Sequence, residues 1–194
     1  MEILTRAAAA LALLFAVSTL SAETNCFVGG AGTGELVFEG AVEGTGFTGR
    51  FAAFDVEYCV PADGPAAGSI RVGVDLASAD TDNDDRDQTL KGPEFFAVEQ
   101  HPRAEWRSGA IERDRGGYRA EGELTLKGIT KAQPIRFTLT PAGDALVAAG
   151  AFTLSGASEV DRQRFEIGTG EFADPEFVRN RVDVRFEVRL SSAD

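Results

Sequence analysis

The sequence predicts an all-β fold in which about eight antiparallel strands either close into a barrel or stack as two sheets. Apolar and polar residues alternate with period two in residues 70–76 and 182–190, as in strands with one side in a core and the other in water. Glycine is abundant, at 22 residues, and turn signals recur between the apolar stretches. Long helical periodicity is absent from the part that follows the N-terminal stretch.

The predicted strands follow one another along the chain with turns between them. They are residues 34–39, 47–60 with a bend, 70–76, 104–112, 118–126, 134–140, 145–154 and 182–190. Residues 89–98 break the pattern and predict a short helix or turn over one end of the sheet, with Pro93 at the first helical position. A second such piece is predicted to start at Pro175. One-sided alternation favours antiparallel pairing, and a closed barrel of eight strands has room for side chains or for one small ligand.

The N-terminal stretch, residues 1–22, has the layout of a secretory signal peptide. Residues 7–20 are almost wholly apolar, Ser21 and Ala22 are small, and the chain turns polar at Glu23. The apolar run is short for a bilayer span. We therefore predict export, cleavage near Ala22 and one β-barrel domain over residues 23–194. An uncleaved N-terminal anchor is the alternative.

The charge of the chain excludes one class of partner. The net charge is −12, from 31 acidic and 19 basic residues. Nucleic acid binding needs a basic surface to meet the phosphates, so no nucleic acid partner is predicted. The acidity also disfavours purely electrostatic docking on anionic lipid heads, and its simplest role is solubility.

The chain has two cysteines, Cys26 and Cys59. An even number of cysteines in an exported protein predicts one disulfide. The loop it would close is long enough to stabilise the fold by roughly 3–4 kcal/mol in the chain-entropy model. Two separate free thiols are the alternative.

Residues for catalysis are hard to find in this sequence. His101 is the only histidine, so neither a multi-histidine metal site nor a histidine acid–base pair can form. Nucleophile elbows, P-loops and C-x-x-C pairs are absent. The acidic run 80–87 has the first three spacings of a calcium loop, but Asp85 and Lys91 stand where glycine and glutamate are needed. We predict no catalytic residues, no metal site and no enzymatic activity.

Several segments, taken in order, resemble a known family. They are residues 80–108, 122–131 and 164–172, the last followed by the strand at 182–190, together with the stretch 47–54. The first segment contributes Thr81, Arg86, Asp87, Leu90, Phe95, Phe96, Pro102, Ala104, Trp106 and Ser108, and the second reads GELTLKGITK. In order and spacing these segments resemble the YceI-like family over nearly all of the exported part.

This resemblance implies an eight-stranded antiparallel lipocalin-like barrel with one or two short helices, located in the periplasm. It implies an apolar tunnel for a polyisoprenoid lipid, either a prenyl quinone such as ubiquinone or a polyprenyl phosphate, and no other cofactor. The candidate lining residues are Phe51, Phe54, Leu76, Phe95, Phe96, Trp106, Phe165 and Ile167. For each of them, ordinary core packing is the alternative.

Two other functions stay open at this point. The barrel could handle quinone as an accessory of a membrane b-type cytochrome, because the stretch 47–54 is similar to forms in which this domain accompanies such a cytochrome. It could also be a structural or stress-response barrel with a packed interior and no ligand. A homodimer is equally compatible with the sequence.

Overall fold

Twelve strands and two short helices make up the part of the chain that this computed structural model describes, residues 24–142 and 145–193. The strands are β1 (Thr24–Gly30), β2 (Gly34–Val42), β3 (Thr45–Phe51), β4 (Phe54–Pro61), β5 (Ser69–Asp75), β6 (Ala79–Asp80), β7 (Arg103–Asp114), β8 (Gly117–Leu126), β9 (Ile129–Ala132), β10 (Ile135–Thr140), β11 (Ala151–Asp161) and β12 (Arg181–Ser192). The helices are α1 (Asp84–Lys91) and α2 (Ala145–Ala149), and short 3-10 turns lie at Pro65–Ala67, Leu76–Ser78, Arg162–Phe165 and Gly170–Ala173.

The strands close into an antiparallel barrel with eight strand positions, which confirms the predicted fold class. We call each position a stave, whether it is one continuous strand or two strands in line. Four staves are single strands, and four are pairs of strands in tandem, β1 with β2, β3 with β4, β5 with β6, and β9 with β10. Each stave is hydrogen-bonded to the next along the chain, and β12 closes the ring by pairing with both β1 and β2. Closure leaves few unpaired strand edges, which would otherwise invite aggregation.

The breaks in the staves explain why some strands were predicted as bent or incomplete. The predicted bent strand 47–60 is the tandem of β3 and β4, interrupted at Ala52 and Ala53. In the same way, β9 and β10 both pair with β8 and are separated only by Gln133 and Pro134. Proline cannot donate to a sheet ladder, so a break at this position is expected.

The period-two strands bury one face as predicted. In β12, Val188 and Leu190 are almost fully buried, whereas Arg185 and Arg189 are exposed. In β5, Ile70 is buried at the inner face. The inner faces of the barrel therefore carry the apolar residues, and the charged residues form the outer surface.

Both helices differ from the sequence-based expectation. Helix α1 begins at Asp84 because the Asn83 side chain accepts a hydrogen bond from the Arg86 amide (2.9 Å) and caps it, and it ends before Pro93, which is not at its start. Residues 145–149 form α2 and not the first half of a strand, so β11 begins only at Ala151. The stretch after Pro175 forms turns and one isolated bridge between Val178 and Val42.

The predicted disulfide is present and joins neighbouring strands. Cys26 of β1 lies directly opposite Cys59 of β4, and the two sulfurs are bonded. A disulfide is typical of proteins in an oxidising compartment. The predicted signal peptide, residues 1–22, lies outside the described residues. Among the helices that the structure describes, none is both long and apolar enough to cross a membrane.

The two ends of the barrel differ. We call the lower end the one with the turns after β4 and β7 and with α2, and the upper end the one with the β2–β3 hairpin, α1 and the β8–β9 hairpin. The lower end is filled by a core that includes Phe27, Tyr58, Phe137 and Phe152. Leu146 of α2 is fully buried and covers this end. A second cluster, with Phe38, Leu76, Phe95 and Phe165 among its members, lies at the upper end.

Candidate binding cavity

An apolar cavity of about 220 Å³ lies inside the barrel and extends into the upper end. Its walls are the inner faces of the strands, together with Leu90 of α1 and Phe95 and Phe96 after it. The other apolar side chains on its wall are Leu36, Phe38, Ala41, Phe47, Phe51, Phe54, Val56, Ile70, Val72, Val74, Leu76, Ala104, Trp106, Leu124, Leu126, Ile135, Leu154, Val160, Ile167, Val178, Val182, Val184, Phe186 and Val188. Such a lining suits an apolar guest.

Seven of the eight residues predicted as lining surround this one cavity. They are Phe51, Phe54, Leu76, Phe95, Phe96, Trp106 and Ile167. Phe165 is not among the residues that line it, and its part in ligand binding stays a prediction. It lies at the end of the 3-10 turn Arg162–Phe165 and is fully buried within the upper cluster.

The sequence-based prediction missed most of the aliphatic wall. Leu124 and Leu126 on β8 are cavity residues whose alternation with polar neighbours was visible in the sequence. Leu36 and Phe38 on β2 also line the cavity, but they flank the apolar Val37. Alternation identifies the inner face of a strand. It does not distinguish an inner face that packs against side chains from one that borders a void.

Phenylalanine rings line one side of the cavity, and two glycines make space for them. The ring of Phe38 lies 5.1 Å from that of Phe51, and the ring of Phe51 lies 6.1 Å from that of Phe96. A Cβ atom on Gly49 would come within 2.4 Å of the Phe38 ring, and one on Gly40 within 2.6 Å of the Phe47 ring. Both glycines therefore allow aromatic rings to lie flat along the wall.

The upper end is covered by residues 162–180, which we call the cap segment. Its backbone is bonded to elements on two sides of the opening. The amides of Gly168 and Thr169 donate to the Glu94 carbonyl at 2.7 and 3.2 Å. On the other side, the Arg179 amide donates to Ala41 and the Glu43 amide donates to Phe177. The cap segment thus joins the β2–β3 hairpin to the loop after α1.

A buried arginine holds the cap segment together. The Arg162 side chain is only 3% exposed, and its guanidinium donates five hydrogen bonds to main-chain carbonyls. The acceptors are Ile167 (2.7 Å), Gly168 (2.9 Å), Phe172 (2.8 Å), Val178 (2.8 Å) and Arg179 (3.3 Å). Among the described residues, no carboxylate lies within ion-pair distance, and burial lowers the pKa of Arg162. All five of its donors are engaged, so Arg162 has none left for a guest.

A lysine ties the cap segment to a third element. Lys127, in the β8–β9 turn, donates from its Nζ to the Glu166 carbonyl at 2.8 Å. Burial lowers the pKa of this lysine. Together with Arg162, this contact fixes the cap segment over the cavity.

The acidic run 80–87 stabilises α1 and shows no metal-binding geometry. The buried Thr81 receives Arg86 Nε on its hydroxyl at 2.8 Å, and it donates its own hydroxyl hydrogen to Asp87 at 2.6 Å. Acidic residues in the first turn also favour a helix start. Among the described residues, no group of three or more histidine, cysteine, aspartate or glutamate side chains could hold a metal ion.

Polar atoms on the cavity wall come from few residues. Gln133, Ser158, Arg162 and Arg179 line the cavity, as does the indole of Trp106. The indole N–H of Trp106 donates to the Gln133 carbonyl at 2.7 Å. This arrangement offers a binding space and no set of groups for acid–base or nucleophilic chemistry. That the protein is not an enzyme stays a prediction.

The amino-acid sequence is similar to those of bacterial UPF0312 proteins. The chain is 33% identical over 96 residues to a UPF0312 protein of Pectobacterium atrosepticum and, over the same length, to a UPF0312 protein of Yersinia pestis. Each alignment covers 50% of this chain and 50% of the relative. The chain therefore spans about half the length of the curated relatives it matches.

Solved structures share the fold. BcnA of Burkholderia cenocepacia superposes with a TM-score of 0.72 at 24% identity, over 80% of this chain and 95% of that one. A polyisoprenoid binding domain of Saccharophagus degradans, implicated in plant cell wall breakdown, superposes with a TM-score of 0.61 at 12% identity, over 88% of this chain and 100% of that one. Residues 32–190 match the model of the YceI-like domain, and the chain therefore belongs to the YceI-like family.

Proposed function

We propose that this protein binds a polyisoprenoid lipid by placing its apolar chain in the barrel cavity, and that it acts as a carrier of that lipid in the periplasm. The observation that carries the proposal is the almost wholly apolar cavity beneath the cap segment. A prenyl chain is insoluble in water, so a soluble carrier must enclose it. The structurally similar domain of Saccharophagus degradans, described as polyisoprenoid binding, supports this choice of ligand class.

Binding of an apolar chain in this cavity does not require a set of polar contacts. Burying apolar surface contributes roughly 0.8 kcal/mol for each CH₂-sized group removed from water. Several isoprene units in contact with Phe51, Phe96 and the aliphatic wall would thus bind without directional contacts. Part of this gain offsets the loss of chain and rigid-body freedom on binding.

The export part of the proposal has its own support. The Cys26–Cys59 disulfide is typical of an oxidising compartment such as the periplasm. The signal-peptide pattern of residues 1–22 indicates the same route.

The decisive experiment is mass spectrometry of an organic extract from the protein purified out of a bacterial periplasm, with two variants beside it. Leu124→Trp adds bulk at a residue of the cavity wall, whereas Glu123→Trp adds the same bulk at the exposed neighbour. We expect stoichiometric prenyl lipid in the wild type and in Glu123→Trp. We expect at least a fivefold reduction in folded Leu124→Trp.

Each alternative function predicts a different outcome. A lipid-free wild type that also fails to take up added prenyl lipid would favour a ligand-free structural barrel. A protein that holds quinone only when purified together with a membrane b-type cytochrome would favour the accessory function.

A further inference from the structure

One stretch of the barrel wall is not closed by strand pairing. The pairing of β10 with β11 ends at Arg136 and Ala157, although β11 continues to Asp161. Beyond that point, in the part of the chain that the structure describes, β9 pairs with β8 alone and residues 158–161 of β11 pair with β12 alone. We call the border between residues 132–135 and residues 158–161 the seam. Its extent on β11 is roughly 13 Å, at about 3.3 Å per residue.

Pro134 explains why the pairing stops there. If the register of β10 and β11 continued, Pro134 would lie opposite Glu159. Proline has no amide hydrogen, so it cannot donate to a sheet ladder. Its carbonyl accepts instead from a side chain, the Ser158 hydroxyl, at 2.9 Å. The seam therefore follows from the amino acid at position 134.

Side chains hold the two sides of the seam together. Gln133 Nε2 donates to the Glu159 carbonyl at 2.9 Å and to Ser158 Oγ at 2.7 Å. At the upper limit of the seam, Arg164 donates to the Ala132 carbonyl at 3.1 Å. A change of side-chain rotamer breaks each of these bonds while the strands on either side keep their own ladders. The seam can therefore open without unfolding of β9 or β11.

The other borders of the cavity cover are held by main-chain bonds. The amides of Gly168 and Thr169 donate to the Glu94 carbonyl, and the Arg179 amide donates to the Ala41 carbonyl. β11 pairs with β12 along its whole length. A rotamer change cannot release bonds of this kind, because both groups belong to the backbone. Among these borders, the seam is the one that opens at the lowest cost.

The cavity lies directly behind the seam. Leu124 and Leu126 of β8 line the cavity on one side of it, and Ser158 and Val160 of β11 line the cavity on the other side. Gln133 lies between these two sets and is only 4% exposed. An opening at the seam would connect the cavity to solvent while the cap segment and the packed lower end stay in place.

We propose that the seam is the gate through which a lipid enters and leaves the cavity, and that the Gln133 side chain holds this gate closed. The inference rests on the proposed function. In this role Gln133 is a positioning residue, which sets how often the cavity opens. Loss of its contacts should change the association and dissociation rates by the same factor. A residue that only contacts the guest changes mainly the dissociation rate.

Stopped-flow kinetics of Gln133→Leu test this role, with geranylgeraniol as the probe. Trp106 is the only tryptophan of the chain and lines the cavity, so its fluorescence reports occupancy. Transfer of the bound probe to an excess of phosphatidylcholine vesicles gives the dissociation rate. Because the variant removes both side-chain hydrogen bonds across the seam, we expect both rates to rise at least tenfold and Kd to stay within threefold.

Thr138→Val is the matched control on the same two strands. It removes a side-chain hydrogen bond from β10 to β11, to the Ser155 carbonyl at 3.5 Å, at a position where the main-chain ladder is intact. Both rates should stay within twofold of those of the wild type.

Covalent locks compare the seam with the cap segment. Ala132→Cys/Glu159→Cys places two exposed thiols on opposite sides of the seam, and a short bis-methanethiosulfonate links them. Glu94→Cys/Thr169→Cys with the same reagent links the cap segment to the loop after α1. The two native cysteines are already joined, so the reagent leaves the wild type unmodified. We expect the seam lock to slow entry and exit at least tenfold, and the cap lock to leave both within twofold.

The outcomes separate this inference from the function on which it rests. Unchanged exchange in the seam-locked protein would overturn the inference, whether or not Gln133→Leu folds. Equal slowing by the two locks would also overturn it, because the whole upper end would then open together. A change in the dissociation rate alone would remove Gln133 from the gate. Failure of the wild type to bind geranylgeraniol would contradict the proposed function itself, before any lock is applied.

Discussion

The lower and upper ends of the barrel are enclosed by the same antiparallel wall but filled in different ways. At the lower end, aromatic rings contact one another. The Phe27 ring lies 4.9 Å from that of Phe152, and the Tyr118 ring stacks on that of Phe137 at 5.3 Å. At the upper end, the rings lie along the wall and leave a cavity between them. A closed wall therefore does not determine whether the interior is a core or a binding space.

The polar groups of the two ends follow the same division. The Tyr58 hydroxyl at the lower end donates to the Pro65 carbonyl at 2.7 Å, and burial raises the pKa of this tyrosine. It anchors the turn that covers the packed core. At the upper end, Arg162 satisfies the carbonyls of the cap segment. Tyr58 and Arg162 each hold the cover of one end in place, but only the cover held by Arg162 lies over a cavity.

Truncating one aromatic residue at each end gives the largest expected contrast in stability. Phe152→Ala removes a fully buried ring from a packed core and should lower the free energy of unfolding by about 4 kcal/mol. Phe96→Ala enlarges a void that already exists and should cost about 1–2 kcal/mol, because its ring has fewer packed neighbours to lose. Urea denaturation measures both values. Equal losses would show that the two ends are packed alike.

Reducing the disulfide tests how far the lower end depends on a covalent link. Cys26 and Cys59 are 33 positions apart, and opening that loop should lower the free energy of unfolding by roughly 3–4 kcal/mol. Denaturation with and without dithiothreitol measures the change. The Cys26→Ala/Cys59→Ala double variant should be insensitive to the reductant. A wild-type transition that does not shift would mean that the bond contributes little.

Replacing Arg162 tests the cover of the upper end. Arg162→Met leaves five carbonyls without their donor and should destabilise the protein by about 2 kcal/mol, since the cap segment can partly rehydrate. Hydrogen exchange at the amides of residues 166–179 should rise at least tenfold. Arg164→Met is the control, because this exposed neighbour makes one hydrogen bond, to the Ala132 carbonyl. Unchanged exchange in Arg162→Met would contradict its assigned part in the cover.

The smallest expected effect lies on the outer surface. Arg181 donates to Asp183 at 2.7 Å, and this hydrogen bond lowers the pKa of Asp183. A carboxylate whose pKa is lower in the folded state stabilises the fold above its unfolded pKa of about 4 and loses that effect as the pH falls through the folded value.

Asp183→Asn should therefore cost at most about 0.5 kcal/mol near pH 7, because the pair is partly exposed and screened. At a pH below the folded pKa of Asp183 the variant and the wild type should be equally stable. Thermal unfolding from pH 2 to pH 7 measures the difference. A loss that does not depend on pH would assign it to packing and not to charge.

The fold was largely predictable, and the errors have physical reasons. One-sided alternation in β5 and β12 identified strands whose inner faces are buried. Residues 145–149 were assigned to a strand because a short apolar run does not distinguish helix from strand. Packing of Leu146 against the lower core accompanies the helix there. The start of α1 was placed too late because the capping Asn83 lies within an acidic run that resembles a loop.

The cavity was predictable only in part. The YceI-like motifs led to Phe51, Phe96 and Trp106, which do line it, but also to Phe165, which does not. Periodicity assigns a residue to the inside of the barrel and cannot report whether a neighbour fills the space in front of it. Gln133, which also lines the cavity, was missed because a glutamine before a proline resembles an ordinary loop residue.

The packed lower end sets a limit on the length of any guest. Phe27, Tyr58, Phe137 and Phe152 form a solid floor beyond the cavity, so an inserted chain cannot thread through the barrel. The distance from this floor to the upper end therefore limits how much of a chain the cavity can enclose. Under the proposed function, a chain short enough to end above this floor would be wholly enclosed, and every additional isoprene unit would remain outside, in water or against another surface.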